Sequence, residues 1–221
     1  GFCPTTLTQS HDTLKGAVAR IKDTVKKGDV EGAEVLGIHF EGPYLDVAYK
    51  GAQPEEYIVK GTIEEFKEYQ EACDNMIKII TLAPEHDDEF TLTKYCASTG
   101  VNVSIGHTNA TYAESMLAIA NGARGFTHTY NGMMGYGHRE NGTVGASLRS
   151  HDVYSEVICD GNHTSLTALN IFFKQKGEHG MMVSDSLMCK GYPTGSVFDF
   201  GGQDVEIYTD GSAHITTGTK Q

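Results

Sequence analysis

The 221-residue sequence predicts an α/β fold, a TIM-like (β/α)8 barrel with seven of its eight strands visible in the chain and a small β meander at the C-terminal end. Three observations lead there. Short β-branched or apolar runs alternate with stretches of helical period, the pattern of a parallel sheet with helical crossovers. Titratable residues stand just after the expected strands, at the end where such barrels carry their chemistry. After Leu187 the alternation stops, and three short runs follow, separated by GGQD and DGS turns.

The first strand-like run covers residues 2–6. A helix is predicted over 12–27, because Leu14, Val18, Ile21 and Val25 fall on one face. Residues 35–40 form the next strand and lead into EGPYL. Thr62 and Glu65 make a capping-box pattern that opens a helix ending near Cys73. A strand over 77–82 is followed by a polar segment and a helix over 90–98, stopped by Gly100. Residues 101–105 are a strand, and Thr111 with Glu114 repeats the capping box for a helix to Ala120. A strand over 125–129 precedes the loop MMGYGHRENG. Residues 155–158 form a strand, Leu166, Leu169, Phe172 and Phe173 give the apolar face of a helix ending at Gly177, and 181–184 is the seventh strand. The meander is expected over 197–200, 205–208 and 213–216. The expected division is a barrel over 1–190, lacking its first strand, and the meander with the start of a final barrel or β-domain segment over 191–221. Both ends fall in mid-pattern, so further sequence is expected on either side. The competing fold is a doubly wound open sheet, whose glycine-rich first turn is not seen.

The net charge of -12 argues against a nucleic-acid partner or an anionic membrane surface. No apolar run is long enough to span a bilayer, and no secretory signal opens the chain. Cys3, Cys73, Cys96, Cys159 and Cys189 are odd in number and include no C-x-x-C pair, which suits reduced thiols in a cytoplasmic protein.

Five strand ends carry candidate ligands or acid–base groups: Glu41, His107, His128, Asp160 with His163, and Asp185. Singly, each has an ordinary reading. Glu41 could bond a loop N–H, His107 could cap a helix, His128 could be a satisfied core histidine, and Asp185 could be an N-cap. Jointly they share one rim of one barrel. Two imidazoles and a carboxylate suit zinc or a similar divalent ion and leave a position for water, whose pKa the metal would lower to about 7. Asp185, on another strand, could move the water's proton.

The segments GIHFEGPYL, KGAQ, SIGHTNATYAE, GFTHTYNGM, DGNH and MVSDS, in this order, resemble the N-acetylglucosamine-6-phosphate deacetylases of the amidohydrolase superfamily. The resemblance covers nearly the whole chain. It implies a metal-dependent hydrolase barrel, with Glu41, His107 and His128 holding a divalent metal, zinc or else iron or another divalent ion. Asp185 would be the general base and then the general acid. Asn131 and Gly132 would meet the phosphate end of the sugar, and Arg139 would pair with the phosphate. His163 in the loop Asp160-Gly161-Asn162-His163 would contact the phosphorylated sugar across a homodimer interface. Ala52 and Gln53 stand where the family has a substrate-binding pair, with Gln53 in place of a frequent histidine and Gly132 in place of a frequent alanine. The implied partner is a phosphorylated N-acetyl amino sugar. The corresponding galactosamine sugar, another amide, or sugar-phosphate binding without catalysis are the alternatives.

Overall fold

The structure, a computed structural model, describes residues 1–28 and 31–216. Residues 217–221, the tail of the expected C-terminal segment, lie outside the described residues. Six parallel strands form one sheet in the order of the sequence, curled as a half-barrel: β1 (Ile38–Glu41), β2 (Ile77–Leu82), β3 (Asn102–Ile105), β4 (Gly125–Phe126), β5 (Tyr154–Ile158) and β6 (Gly180–Val183). The helices are α1 (His11–Lys27), α2 (Ile63–Ala72), α3 (Thr91–Ser98), α4 (Tyr112–Ala120), α5 (Gly142–Arg149) and α6 (Leu166–Lys176). A separate antiparallel meander contains β7 (Val197–Phe200), β8 (Gln203–Ile207) and β9 (Ala213–Ile215). No helix among the described residues is long and apolar enough to cross a membrane.

Two faces of the sheet have opposite character, as alternation along a strand requires. Ile38, Phe40, Ile80, Leu82, Val103, Ile105 and Phe126 pack with Leu14, Val18, Phe66, Tyr69, Leu92 and Ala118 into one core. Phe40 and Tyr69 pack with ring centroids 4.8 Å apart, their planes tilted by 41°. The alternate residues are polar: His39 and Glu41 on β1, Thr81 on β2, Ser104 on β3 and Thr127 after β4, all buried. This polar lining holds the site described below.

The helix starts follow the sequence signals. Ser10 caps α1 through Thr13 N–H, and Gly28 ends it in the left-handed conformation. The capping box of α4 is complete: the Thr111 hydroxyl accepts the Glu114 N–H, and the Glu114 carboxylate accepts the Thr111 N–H.

Three expectations change. The run over 2–6 is not a ladder strand. It lies along the free edge of β1 through two parallel bridges, Phe2 with Val35 and Thr5 with His39, because Pro4 has no N–H and offers only its carbonyl to the His39 N–H. The strand expected over 125–129 ends at Phe126, because the backbone turns at His128. A helix, α5, begins at the last residue of the loop MMGYGHRENG and fills a stretch for which the sequence predicts no element. Its sequence GTVGASLR has two glycines and two β-branched residues, so propensity hides it. Tertiary packing stabilises it instead: six of its eight residues are buried, and the Lys176 ammonium of α6 donates to the Ser147, Ser150 and Val153 carbonyls at and beyond its C-terminus.

Candidate active site

Glu41 ends β1, His107 follows β3 after one glycine, and His128 lies just beyond β4. Glu41 Oε1 is 3.0 Å from His107 Nε2 and 3.8 Å from His128 Nε2, and the two Nε2 atoms are 3.1 Å apart. All three residues are buried. Close packing beneath them needs Gly106, where a Cβ would lie 2.8 Å from Thr127 Cβ and 3.0 Å from Thr81 Cγ2.

The tautomers of both imidazoles are fixed by their surroundings. His107 Nδ1 faces the Tyr49 carbonyl at 2.8 Å, and His128 Nδ1 faces the Asn131 carbonyl at 3.1 Å. A carbonyl only accepts, so both Nδ1 atoms carry hydrogen and both neutral rings turn bare Nε2 lone pairs inward. Two lone pairs and a carboxylate converging in a buried space repel unless a positive charge lies among them. Without a metal, a proton supplies it. Burial would lower the His128 pKa, but the Glu41 carboxylate prevails and lifts it to about 9. Burial would likewise raise the Glu41 pKa, and the two imidazoles hold it well below the usual range. The donor set, with each Nδ1 tied to a carbonyl, is chemically suited to a divalent cation.

Asp185 lies beyond β6, on the solvent-open side, yet close enough for mutual electrostatic influence. The protein packed around it and the Glu41 charge raise its pKa, against the pull of His128, His107 and His39. His107, His128 and Asp185 have φ of 47°, 31° and 45°, three of only eight non-glycine residues with positive φ among the described residues. Such conformations cost energy and persist where surrounding bonds over-determine them. The bonds around His107 are visible: its carbonyl accepts the Asp46 N–H at 2.8 Å, and the next N–H donates to the Gly132 carbonyl at 3.0 Å.

The other expected residues are distributed around this centre. Gln53 is buried and donates from Nε2 to Glu41 Oε1 at 3.2 Å. The Ala52 carbonyl accepts from Gln203 of the meander at 2.8 Å. Gly132 has φ of 59°, and a Cβ there would stand 3.0 Å from His107 Nδ1, so glycine suits the position. Asn131 Nδ2 reaches Thr164 Oγ1 at 3.4 Å. Asp160 Oδ1 accepts the N–H groups of Asn162 and His163, and its Oδ2 lies 2.6 Å from His163 Nδ1, with Gly161 turning the loop at φ of 82°. Arg139 is exposed on the loop before α5.

Sequence reasoning missed two residues. Glu85 follows β2, and its carboxylate takes the Thr108 hydroxyl and the Asn109 N–H, both at 2.5 Å. The rule that strand ends carry chemistry would have pointed to it. Glu85, Asp46 and His86 also bring three ligand-type atoms together. Their oxygens are already committed: Asp46 takes the Ala48 N–H and faces His86 Nε2 at 2.8 Å. The group is therefore a clamp on the loop after His107. His39, two residues before Glu41 and so on its face, opens a buried chain through Thr81 and Thr127 to Ser104, with links of 2.6, 2.7 and 2.7 Å.

No family model matches the chain. It is 37% identical over 209 residues to an N-acetylglucosamine-6-phosphate deacetylase of Bacillus subtilis, covering 93% of this chain and 52% of the relative. It is 32% identical over 207 residues to an N-acetylgalactosamine-6-phosphate deacetylase of Escherichia coli O157:H7, covering 94% and 54%. Among solved structures it resembles, at TM-score 0.91 and 26% identity, a Mycobacterium smegmatis N-acetyl-D-glucosamine-6-phosphate deacetylase variant in complex with N-acetyl-D-glucosamine-6-phosphate, over 99% of this chain and 56% of that one. The chain spans about half the length of the curated relatives it matches.

Proposed function

We propose, from homology to N-acetylglucosamine-6-phosphate deacetylases along nearly the whole of this chain, that it forms most of the catalytic barrel of such an enzyme. The reaction is metal-dependent hydrolysis of N-acetylglucosamine 6-phosphate to glucosamine 6-phosphate and acetate. One observation carries this reading beyond the homology: the convergence of Glu41 Oε1 and two bare Nε2 atoms in a buried space. In the complete protein the half-barrel closes into an eight-stranded barrel, with residues 1–190 in it and 191–221 forming the meander and the start of the last segment.

Glu41, His107 and His128 would hold the cation, proposed as zinc. When bound, it ionises water near neutral pH and polarises the acetamide carbonyl. Asp185 takes the proton of the attacking water and returns it to the departing nitrogen, and the raised pKa of its carboxyl suits that exchange. The Asn131 side chain and the Gly132 backbone meet the phosphate end of the sugar, and Arg139 pairs with the phosphate. Ala52 belongs to the substrate-side loop. Asp160 holds His163 and with Gly161 and Asn162 shapes the loop that reaches the phosphosugar across a homodimer interface. The five free cysteines accord with a cytoplasmic location.

The similarity to an N-acetylgalactosamine-6-phosphate deacetylase supports a second reading, in which the galactosamine sugar is the substrate. Acetate release from the two phosphorylated sugars and from unphosphorylated N-acetylglucosamine tests both. Turnover of the glucosamine phosphate above the other two is the expected result. A preference for the galactosamine phosphate would select the second reading, and equal turnover of the unphosphorylated sugar would remove the phosphate roles.

A further inference from the structure

The side-chain amide of Gln53 has one orientation open to it. The backbone N–H of Thr8 can only donate, and it lies 2.7 Å from Gln53 Oε1. The carbonyl end must therefore face Thr8, and the NH2 end is turned toward Glu41 Oε1 at 3.2 Å. A flipped amide would set N–H against N–H and carbonyl against carboxylate. Both bonds are made in a buried place, where water does not compete.

The loop that carries Gln53 is held from several sides. The Gln53 N–H donates to the Lys50 carbonyl at 3.0 Å, and Lys50 Nζ donates back to the Gln53 carbonyl at 3.4 Å. The Ala52 carbonyl is bonded to Gln203, at the start of β8. Thr8 closes the edge run, in which the Thr6 hydroxyl accepts the Glu41 N–H at 3.1 Å. Gln53 thus joins the edge run, the loop and the carboxylate at one point. A glutamate carboxylate rotates broadly about its last torsion, so a donor on one oxygen is needed to fix its plane.

We propose that Gln53 is a positioning residue for the Glu41 carboxylate and not a contact for the sugar. It occupies one lone pair of Oε1 and leaves the other directed at the space shared with His107 and His128. This rests on the reading of Glu41 as a cation ligand. It departs from the substrate role that the resemblance implies for this position, because Thr8 and Glu41 fix the orientation of the amide within the protein.

The test compares zinc affinity, by competition with a chelator, and steady-state kinetics in the full chain for wild type, Gln53→Met, Gln53→Asn and Glu41→Gln. Gln53→Met keeps the length and removes the donor. It is expected to weaken zinc binding by about 10- to 100-fold, with a changed visible spectrum for the cobalt-substituted protein. Its KM for N-acetylglucosamine 6-phosphate should stay within about twofold of wild type. Gln53→Asn keeps a buried amide too short to span both partners. It should also lose affinity, which provides the same readout if Gln53→Met does not fold. Unchanged zinc affinity with a raised KM in both variants, while Glu41→Gln weakens zinc binding, would overturn the positioning role and leave the metal site standing. Unchanged zinc binding in Glu41→Gln would overturn the metal reading and this inference with it.

Discussion

The Glu85 carboxylate and the Thr108 hydroxyl meet at 2.5 Å, and Thr108 is the residue after His107. A strand end with no ligand of its own thereby holds the backbone of a candidate ligand from the adjacent strand. Glu85→Ala would leave the Thr108 hydroxyl and the Asn109 N–H without their partner, at a cost of about 1–3 kcal/mol. The expected outcome is faster amide hydrogen exchange at Asn109 and about tenfold weaker zinc binding, because an orienting partner of a ligand has been lost.

Asp185→Asn preserves shape and removes the proposed proton carrier. Acetate release in a single turnover should fall by about 100- to 10,000-fold, with zinc content unchanged by elemental analysis. Retained hydrolysis at full zinc loading would assign the proton transfer to another group.

On the proposed reading, zinc would compete with the proton held on His128, whose pKa is lifted to about 9. Below that pH the metal-free site is protonated, and binding expels the proton. Zinc affinity should therefore rise with pH and level off near 9, with about one proton released per zinc at pH 7 from this residue. Calorimetry in buffers of different ionisation enthalpy measures that release.

Lys176 is only 2% exposed, and its ammonium serves three carbonyls. Lys176→Met fills similar space but strands those carbonyls around the end of α5. A loss of about 3–5 kcal/mol in chemical denaturation is expected, since several buried acceptors lose a charged donor together.

Glu140 Oε1 accepts the N–H of Tyr112, the first residue of α4, at 2.9 Å and that of Gly142, the first of α5, at 2.8 Å. These bonds lower its pKa in the folded chain. A carboxylate with a depressed folded pKa contributes stability above its unfolded value, and the contribution disappears as pH falls through the folded value. Glu140→Gln should consequently lower the melting temperature at pH 7, and the difference from wild type should close in acid below the ordinary glutamate pKa of 4.5.

Much of the sheet was legible in the sequence because apolar face and strand ends are local signals. Residues 77–82 and 197–200 were expected as strands with the bounds that β2 and β7 have. Residues 12–27 were expected as helix, and α1 begins one residue earlier. What escaped depended on contacts between distant residues. The helix α5 is stabilised by burial and by Lys176, and neither is a property of GTVGASLR. The run over 2–6 has strand-forming residues, but Pro4 interrupts its pairing. The candidate ligands were readable as strand ends, and their meeting at about 3 Å follows only from the curl of the sheet. Glu85 and His39 lay in patterns already in use, Glu85 at a strand end and His39 inside the segment GIHFEGPYL two residues before Glu41, but neither was singled out there. The bond from Gln53 to Glu41 crosses a loop with no period to reveal it.

Each strand of the main sheet is hydrogen-bonded to strands adjacent to it in the sequence. Within these six strands, a chain leaving the ribosome can therefore dock its units one after another. Glu41, His107 and His128 emerge in that order, and the pocket between them is complete once β4 has settled. Asp185 arrives more than 50 residues after His128. On the proposed reading, a nascent chain would present its cation ligands before it has the proposed proton carrier, and a captured cation would tie β1, β3 and β4 together while the remaining strands are being synthesised.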